Sequence, residues 1–407
     1  MANDDRSTPA PGRAVPSWAI GAAGLLSLAV AMGIGRFAFT PMLPLMVQAG
    51  QLDLTGGGWI AAANYAGYLA GALTASRLGW PAPRLAVVAL AGTAVLTAAM
   101  VIPGPTAWWA LLRFVAGMAS AWAFVGTSVW CLSALGQRPV SAWSSALYAG
   151  VGLGIALAGL DCLAGGAAGW SVSGLWLQLT LIAVLLTLPV AWVLARLRPV
   201  TPAASAAPSA ARSSGSHWGL VGSYAVLGFG YILPATYLPV MARTVVPDPR
   251  LFGLAWPVFG LFAALSTLVA ARVLRRASRL QVWSASHLLM GVGVLLPSLW
   301  LTGWTIGLSA LLVGGTFMVV TLAGVQEIRV RAGADATRMV GRMTAAFAIG
   351  QIAGPVLSTA LLHATPAHGL DLALQAGAIA LFASAAWLWR AATLPNSTPL
   401  PETSHAR

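Results

Sequence analysis

The chain has 407 residues, 58% of them hydrophobic and 8% charged, with a formal net charge of +13. Soluble domains carry about 25% charged residues, so this is the composition of a polytopic membrane protein with no soluble domain left over. The 22 basic residues are all arginines scattered between apolar runs, so the positive balance points to orientation in a bilayer rather than to a nucleic acid partner.

A membrane-spanning helix needs about 20 mainly apolar residues. In chain order such runs lie near 18–47, 57–78, 84–102, 106–134, 141–163 and 172–195. The stretch 196–216 is rich in Ala, Pro and Ser, the composition of a flexible linker. Six further runs lie near 218–241, 252–272, 281–300, 304–328, 339–362 and 370–391. The expected organisation is therefore a six-helix bundle over 1–195, a cytoplasmic linker over 196–216, and a second six-helix bundle with a short cytoplasmic tail over 217–407. The first run is longer than a signal-peptide core of about 7–15 residues, and we expect it to be retained as a span.

Arginine placement supports the count. With the N-terminus in the cytoplasm, eighteen arginines fall on cytoplasmic segments and two, Arg243 and Arg250, on outer ones. That bias predicts a multi-pass protein of the cytoplasmic membrane with both termini inside. Cys131 and Cys162 then lie near opposite faces, which excludes a disulfide between them, and their spacing fits no metal site.

Two arginines fall inside spans. Arg36 lies slightly outward of the middle of the first run, in Gly33-Ile34-Gly35-Arg36-Phe37-Ala38-Phe39-Thr40-Pro41. A guanidinium keeps its proton, and an intramembrane charge faces protein or a watery cavity and needs a partner. Arg36 is the first candidate to bind an anionic substrate group such as a carboxylate; the alternative is a structural ion pair. Arg113, in the fourth run, stands equally between a proton-coupling role, substrate contact and an interhelical strut.

The remaining candidates are polar residues in otherwise apolar runs. Asn64, Tyr65 and Tyr68 share the second run, with 64 and 68 on one helical face. Tyr148, Tyr231 and Gln351 hold comparable inner positions, and all six are expected to line a substrate cavity. Acids are few: Asp53, Asp161, Asp248, Glu327, Asp335 and Asp371 lie nearest the membrane. Glu327 is the best-placed proton carrier, a surface salt bridge being the alternative, and Asp161 is the second. His287 and His363 lie near span ends and read as interfacial.

The halves repeat each other. Gly33-Ile34-Gly35-Arg36 matches Gly228-Phe229-Gly230-Tyr231, and Leu43-Pro44-Leu45-Met46 matches Leu238-Pro239-Val240-Met241 in the same register. Gly150 and Gly154 match Gly350 and Gly354. Both copies run in the same direction, as in parallel repeats built for alternating access around a site between the halves. Gly33, Gly35, Pro41, Gly150, Gly154, Gly350, Gly354 and Pro355 are the expected hinge and packing positions.

These motifs resemble a known family. Two six-span halves joined by a linker look like the major facilitator superfamily. Gly33 to Met46, Asn64 to Gly71, Tyr148 to Gly154 and Gly350 to Pro355 resemble its YbfB/YjiJ-like branch. The resemblance implies an all-α integral membrane transporter of twelve helices in two pseudo-symmetric bundles. Arg113-Phe114-Val115-Ala116-Gly117 is similar to the superfamily's fourth-helix motif, which implies proton coupling. Between Gly71 and Arg84 the usual aspartate is missing, so the charge latch of many relatives is not expected.

The expected function is secondary active transport of a small organic, anionic solute, coupled to protons, with a lean toward efflux from the fifth-span glycines. An uncoupled carrier is the alternative, and a non-transporting sensor or scaffold ranks below it. No catalytic triad, phosphate loop or metal cluster stands out. No cofactor is expected beyond a proton gradient, and the expected partners are the small-molecule substrate and the lipid bilayer, with the chain a monomer.

Overall fold

The computed structural model describes residues 15–75, 77–136, 146–197, 217–245, 248, 253–274, 276–332 and 336–393. Twelve helices occupy them: α1 (Ser17–Gln48), α2 (Leu54–Thr74), α3 (Ala82–Ala99), α4 (Thr106–Gly136), α5 (Ala149–Ala167) and α6 (Val172–Arg196), then α7 (Trp218–Val245), α8 (Ala255–Val273), α9 (Arg279–Leu299), α10 (Gly303–Ala332), α11 (Ala336–Ala364) and α12 (Gly369–Thr393). Most of the expected linker lies outside the described residues, as do the terminal arginines Arg6, Arg13 and Arg407, and Asp335. The described part of the fifth span is Ala149–Ala167, and the expected start at 141 lies outside the described residues.

Ten of these helices are long and apolar enough to cross a membrane. The other two are α2, which packs on α4 and α11, and α8, which packs on α5 and α10. α2 carries Asn64, Tyr65, Tyr68 and a run of glycines, all turned toward protein. Its polarity is therefore satisfied without lipid contact. In α8 the apolar run is shorter, Ala255–Ala270. Burial ranks the helices the same way: 78% of the most apolar stretch of α1 and of α7 is buried, against 28% in α6. The two repeat-leading helices are central and α6 faces lipid with Leu177, Leu181, Leu185 and Leu188.

The halves share one packing scheme. α1 packs on α5, α2 on α4, and α3 on α4 and α6; α7 packs on α11, α8 on α10, and α9 on α10 and α12. Between the halves, α5 meets α8, α2 meets α11, and the Phe39–Gln48 segment of α1 meets α7. Small residues allow the first of these: a Cβ at Gly152 would meet the Ala264 and Gly260 backbones, and one at Gly159 would come 2.7 Å from Pro257.

The fifth-span glycines correct the expected register. Gly33 lies against Gly154, and Gly150 lies against Leu25. The counterpart of Gly33, Gly228, lies against Phe347, while Gly354 lies against Ile232. Gly354 thus sits one turn further along α7 than the first-span match would place it. The two glycine pairs look alike in sequence because small residues suit any close helix crossing.

His287 also departs from expectation. It is fully buried, accepting from Trp283 Nε1 at 3.0 Å, with Nδ1 3.1 Å from Ser384 Oγ. This cluster ties α9 to α12, whereas His363 is exposed. A position near a span end does not reveal which way the helix is rotated. Asp53 is the N-cap of α2, accepting from Gly56 N at 2.7 Å, and both cysteines are free thiols.

Candidate functional site

The site begins with the backbone of α1. Between α-helical Ser17–Leu28 and Phe39–Gln48, residues Ala29–Phe37 form a π-helix. A π-turn shifts hydrogen bonds from i→i+4 to i→i+5 and recurs at functional sites. Neighbours reinforce it here. Ser120 Oγ donates to the Ala31 carbonyl at 2.5 Å, and Arg113 Nη2 donates to the Arg36 carbonyl at 2.5 Å. Gly35 lets α1 settle there, since a Cβ on it would come 2.8 Å from Ser120 Oγ and Thr93 Cγ2. Pro41 follows directly, near the start of the outer α-helical segment, where its missing N–H is tolerated.

Arg36 projects from this π-turn into the contact between the halves and is 3% exposed. Its Nη2 donates to Gln351 Oε1 on α11, and Gln351 Nε2 donates in turn to the Tyr231 hydroxyl on α7. Its Cζ lies 4.0 Å from the Tyr68 ring centroid, 5.3 Å from that of Tyr65 and 5.2 Å from that of Phe37. Tyr65 hydroxyl lies 3.2 Å from Thr236 Oγ1 on α7. The Tyr231 ring is stacked between Phe317, at 4.5 Å, and Phe347, at 5.7 Å. One cation thus links α1 and α2 of the first half to α7 and α11 of the second.

The charge balance is the notable feature. Arg36 and Arg113 are both buried, and among the described residues neither pairs with a carboxylate. Each keeps a buried Nε without an acceptor. Burying an ion costs several kcal/mol, which only well-placed partners offset. Desolvated cation–π contact returns about 2 kcal/mol, and amide or carbonyl acceptors return part of the rest. A visiting anion would complete the balance.

The other predicted residues divide. Tyr65, Tyr68, Tyr231 and Gln351 stand around Arg36. Asn64 is turned to α4, donating to the Arg113 carbonyl at 2.8 Å. Tyr148 is half-buried within the first half, its hydroxyl 3.4 Å from Ser128 Oγ. Asp161 lies about two turns along α5 from Gly154, nine-tenths buried, with Oδ2 lacking a partner. Glu327 is remote from Arg36: it pairs with Arg331 at 2.6 Å and with Arg279 at 3.5 Å. Gly350 packs on Ala225, and the α11 turn at Pro355 is buttressed by Ser358, which donates to the Pro355 carbonyl at 3.0 Å and has its Oγ 2.9 Å from the Tyr237 hydroxyl.

Sequence reading missed Tyr224, Tyr237, Thr236, Phe317 and Phe347. A signal existed for the first two. The chain has six tyrosines, and five of them are buried in spans with the sixth half-buried; none marks an interfacial belt.

At the end opposite the termini the two halves are tied together. Pro239 has no N–H, so the Ala235 carbonyl one turn earlier has no helical partner; Thr40 Oγ1 of the first half donates to it at 2.8 Å. Arg243 donates to the Pro44 carbonyl at 2.7 Å, and Gly58 lies against Thr359 and Tyr237. The second half's Arg243 thus binds the Pro44 carbonyl, and the first half's Thr40 binds the carbonyl left open by Pro239, so the two halves latch beside the repeated Leu-Pro-x-Met motif.

Comparisons with known proteins agree with this architecture. The family model described as "Uncharacterised MFS-type transporter YbfB" matches residues 28–388. Among solved structures, the chain is similar to a point mutant of the nucleoside transporter NupG, with a TM-score of 0.70 at 13% identity, over 92% of this chain and 99% of that one. At that identity the likeness concerns the fold alone. No curated protein sequence matches the chain.

Proposed function

The chain belongs to the YbfB-type family of major facilitator transporters, and from that premise we propose that this secondary transporter carries a small organic anion, bound at Arg36, by alternating access. It is a multi-pass membrane protein of a transporter family and not an enzyme. The observation that carries the reading is the buried, carboxylate-free guanidinium held by Gln351 across the contact between the halves. Gln351 is a neutral acceptor that a substrate carboxylate outcompetes, since charge-assisted hydrogen bonds are roughly twice as strong as neutral ones. Displacing Gln351 frees the Tyr231 hydroxyl and loosens α1 from α11. In this reading the structure is the state sealed at its outer end, with both termini in the cytoplasm of a cell bounded by that membrane.

Proton coupling is part of the proposal, and efflux is its favoured direction. Glu327, neutralised by two arginines, acts as a strut. Asp161, buried with an unpartnered oxygen, is the acid we assign to the proton. Arg113 supports the site through the Arg36 carbonyl. The chain works as a monomer and draws only on the proton gradient. The test is flux of small carboxylates in proteoliposomes with internal pH recorded. Coupled efflux moves protons in the direction opposite to the solute, and Asp161→Asn abolishes that movement. Solute flux without proton movement in the wild type supports the uncoupled carrier instead.

A further inference from the structure

A cavity of about 150 Å3 lies away from Arg36, at the end opposite the termini, where α1, α5, α7 and α8 meet. Pro41, Pro44, Leu163, Pro239 and Trp256 form its apolar walls, and Arg243 and Gln48 supply its polar side. The Arg243 guanidinium is half-buried and oriented by its bond to the Pro44 carbonyl. An apolar cavity of about this volume holds one benzene-sized molecule. A guanidinium matches a carboxylate in geometry as well as charge.

We propose that this cavity binds a small monocarboxylate with an apolar body, of the size of benzoate, as a site separate from Arg36. The ring lies among the prolines and Trp256, and the carboxylate meets Arg243. The walls come from both halves, and opening the outer end pulls them apart. An occupant therefore binds the sealed state more tightly than the open one and shifts the equilibrium toward it. The expected effect is inhibition of turnover that raised substrate at Arg36 does not relieve. The binding site goes beyond the transport reading and stands without it, whereas the effect on turnover rests on that reading.

Benzoate is the probe, and the full-length protein in nanodiscs is the material. Saturable benzoate binding is expected for the wild type, and binding of one benzoate per chain is expected to remain in Arg36→Leu. Gly166→Leu is the blocking variant: a Cβ there meets only Leu45 Cδ2 at 3.7 Å, so the side chain starts in ordinary contact and grows into cavity space. Gly166→Leu and Arg243→Gln are each expected to weaken benzoate binding by about tenfold or more, with folding checked by thermal melts. A second readout uses Cys162, which lines the cavity and is the sole thiol after Cys131→Ser. Benzoate at ten times its dissociation constant should slow Cys162 modification about tenfold, by single-site occupancy. Absence of saturable binding to the wild type overturns the site. So does binding that is lost in Arg36→Leu yet kept in Gly166→Leu.

Discussion

The two repeat-leading helices, α1 and α7, start from matching sequence and end in different chemistry. Both carry paired glycines and a Leu-Pro-x-Met motif beside which a backbone carbonyl accepts from the other half. At the matched position α1 presents Arg36, on a π-turn reinforced by Ser120 and Arg113. α7 continues as an ordinary α-helix and presents Tyr231, clamped between Phe317 and Phe347. Both reach the same residue, Gln351. The difference teaches that pseudo-symmetry supplies the scaffold and its breakdown supplies the site. One half offers a cation in a deformed backbone; the other offers a rigid, neutral hydroxyl.

Substitutions that erase one side of this contrast should rank in a definite order. Arg36→Ala is expected to have the largest effect on transport. Removing a desolvated, charge-assisted contact costs about 2 kcal/mol or more, so substrate-dependent flux in proteoliposomes should fall about 30-fold or further. Arg113→Leu should act mainly on stability, because it leaves the buried Arg36 carbonyl without its donor. A loss of about 1–3 kcal/mol is expected, seen as a lower apparent melting temperature with residual flux in the folded fraction. Tyr231→Phe keeps the ring stack and deletes one neutral hydrogen bond, worth about 1 kcal/mol. Its flux should change by about fivefold and its melting temperature by little.

Glu327→Gln should do least. The Arg279 and Arg331 side chains that hold Glu327 are about a third exposed, and such pairs contribute about 0–1 kcal/mol. Proton movement coupled to flux should persist in this variant and vanish in Asp161→Asn. The opposite result would move the proton from the first half to the second.

The sequence carried some of this comparison and hid the rest. The twelve helices followed from apolar runs, because lipid imposes length and hydropathy directly, and ten of them meet that demand in full. Arg36 stood out as the one charge in its run. The π-turn was not legible: Gly33 and Gly35 permit it, but the donors that reinforce it come from α4, 77 and 89 residues away in sequence. The roles of Asn64 and His287 depend on helix rotation, which span position does not report. Glu327 was readable as either carrier or strut until the fold brought Arg279 beside it. Tyr224 and Tyr237 were discoverable from the tyrosines alone, since none occupies the belt where membrane proteins usually place them.

The most direct measurement is the thermal stability of Arg36→Leu with and without the small carboxylate that best stabilises the wild type. A guanidinium kept for binding adds little to the empty protein, and an apolar side chain of similar volume in its place is neutral or stabilising. The variant should therefore melt at or above the wild-type temperature when unliganded, and the carboxylate should leave its melting temperature unmoved. A variant that melts several degrees lower yet gains the full wild-type shift from the carboxylate would contradict the account and make Arg36 a structural lock.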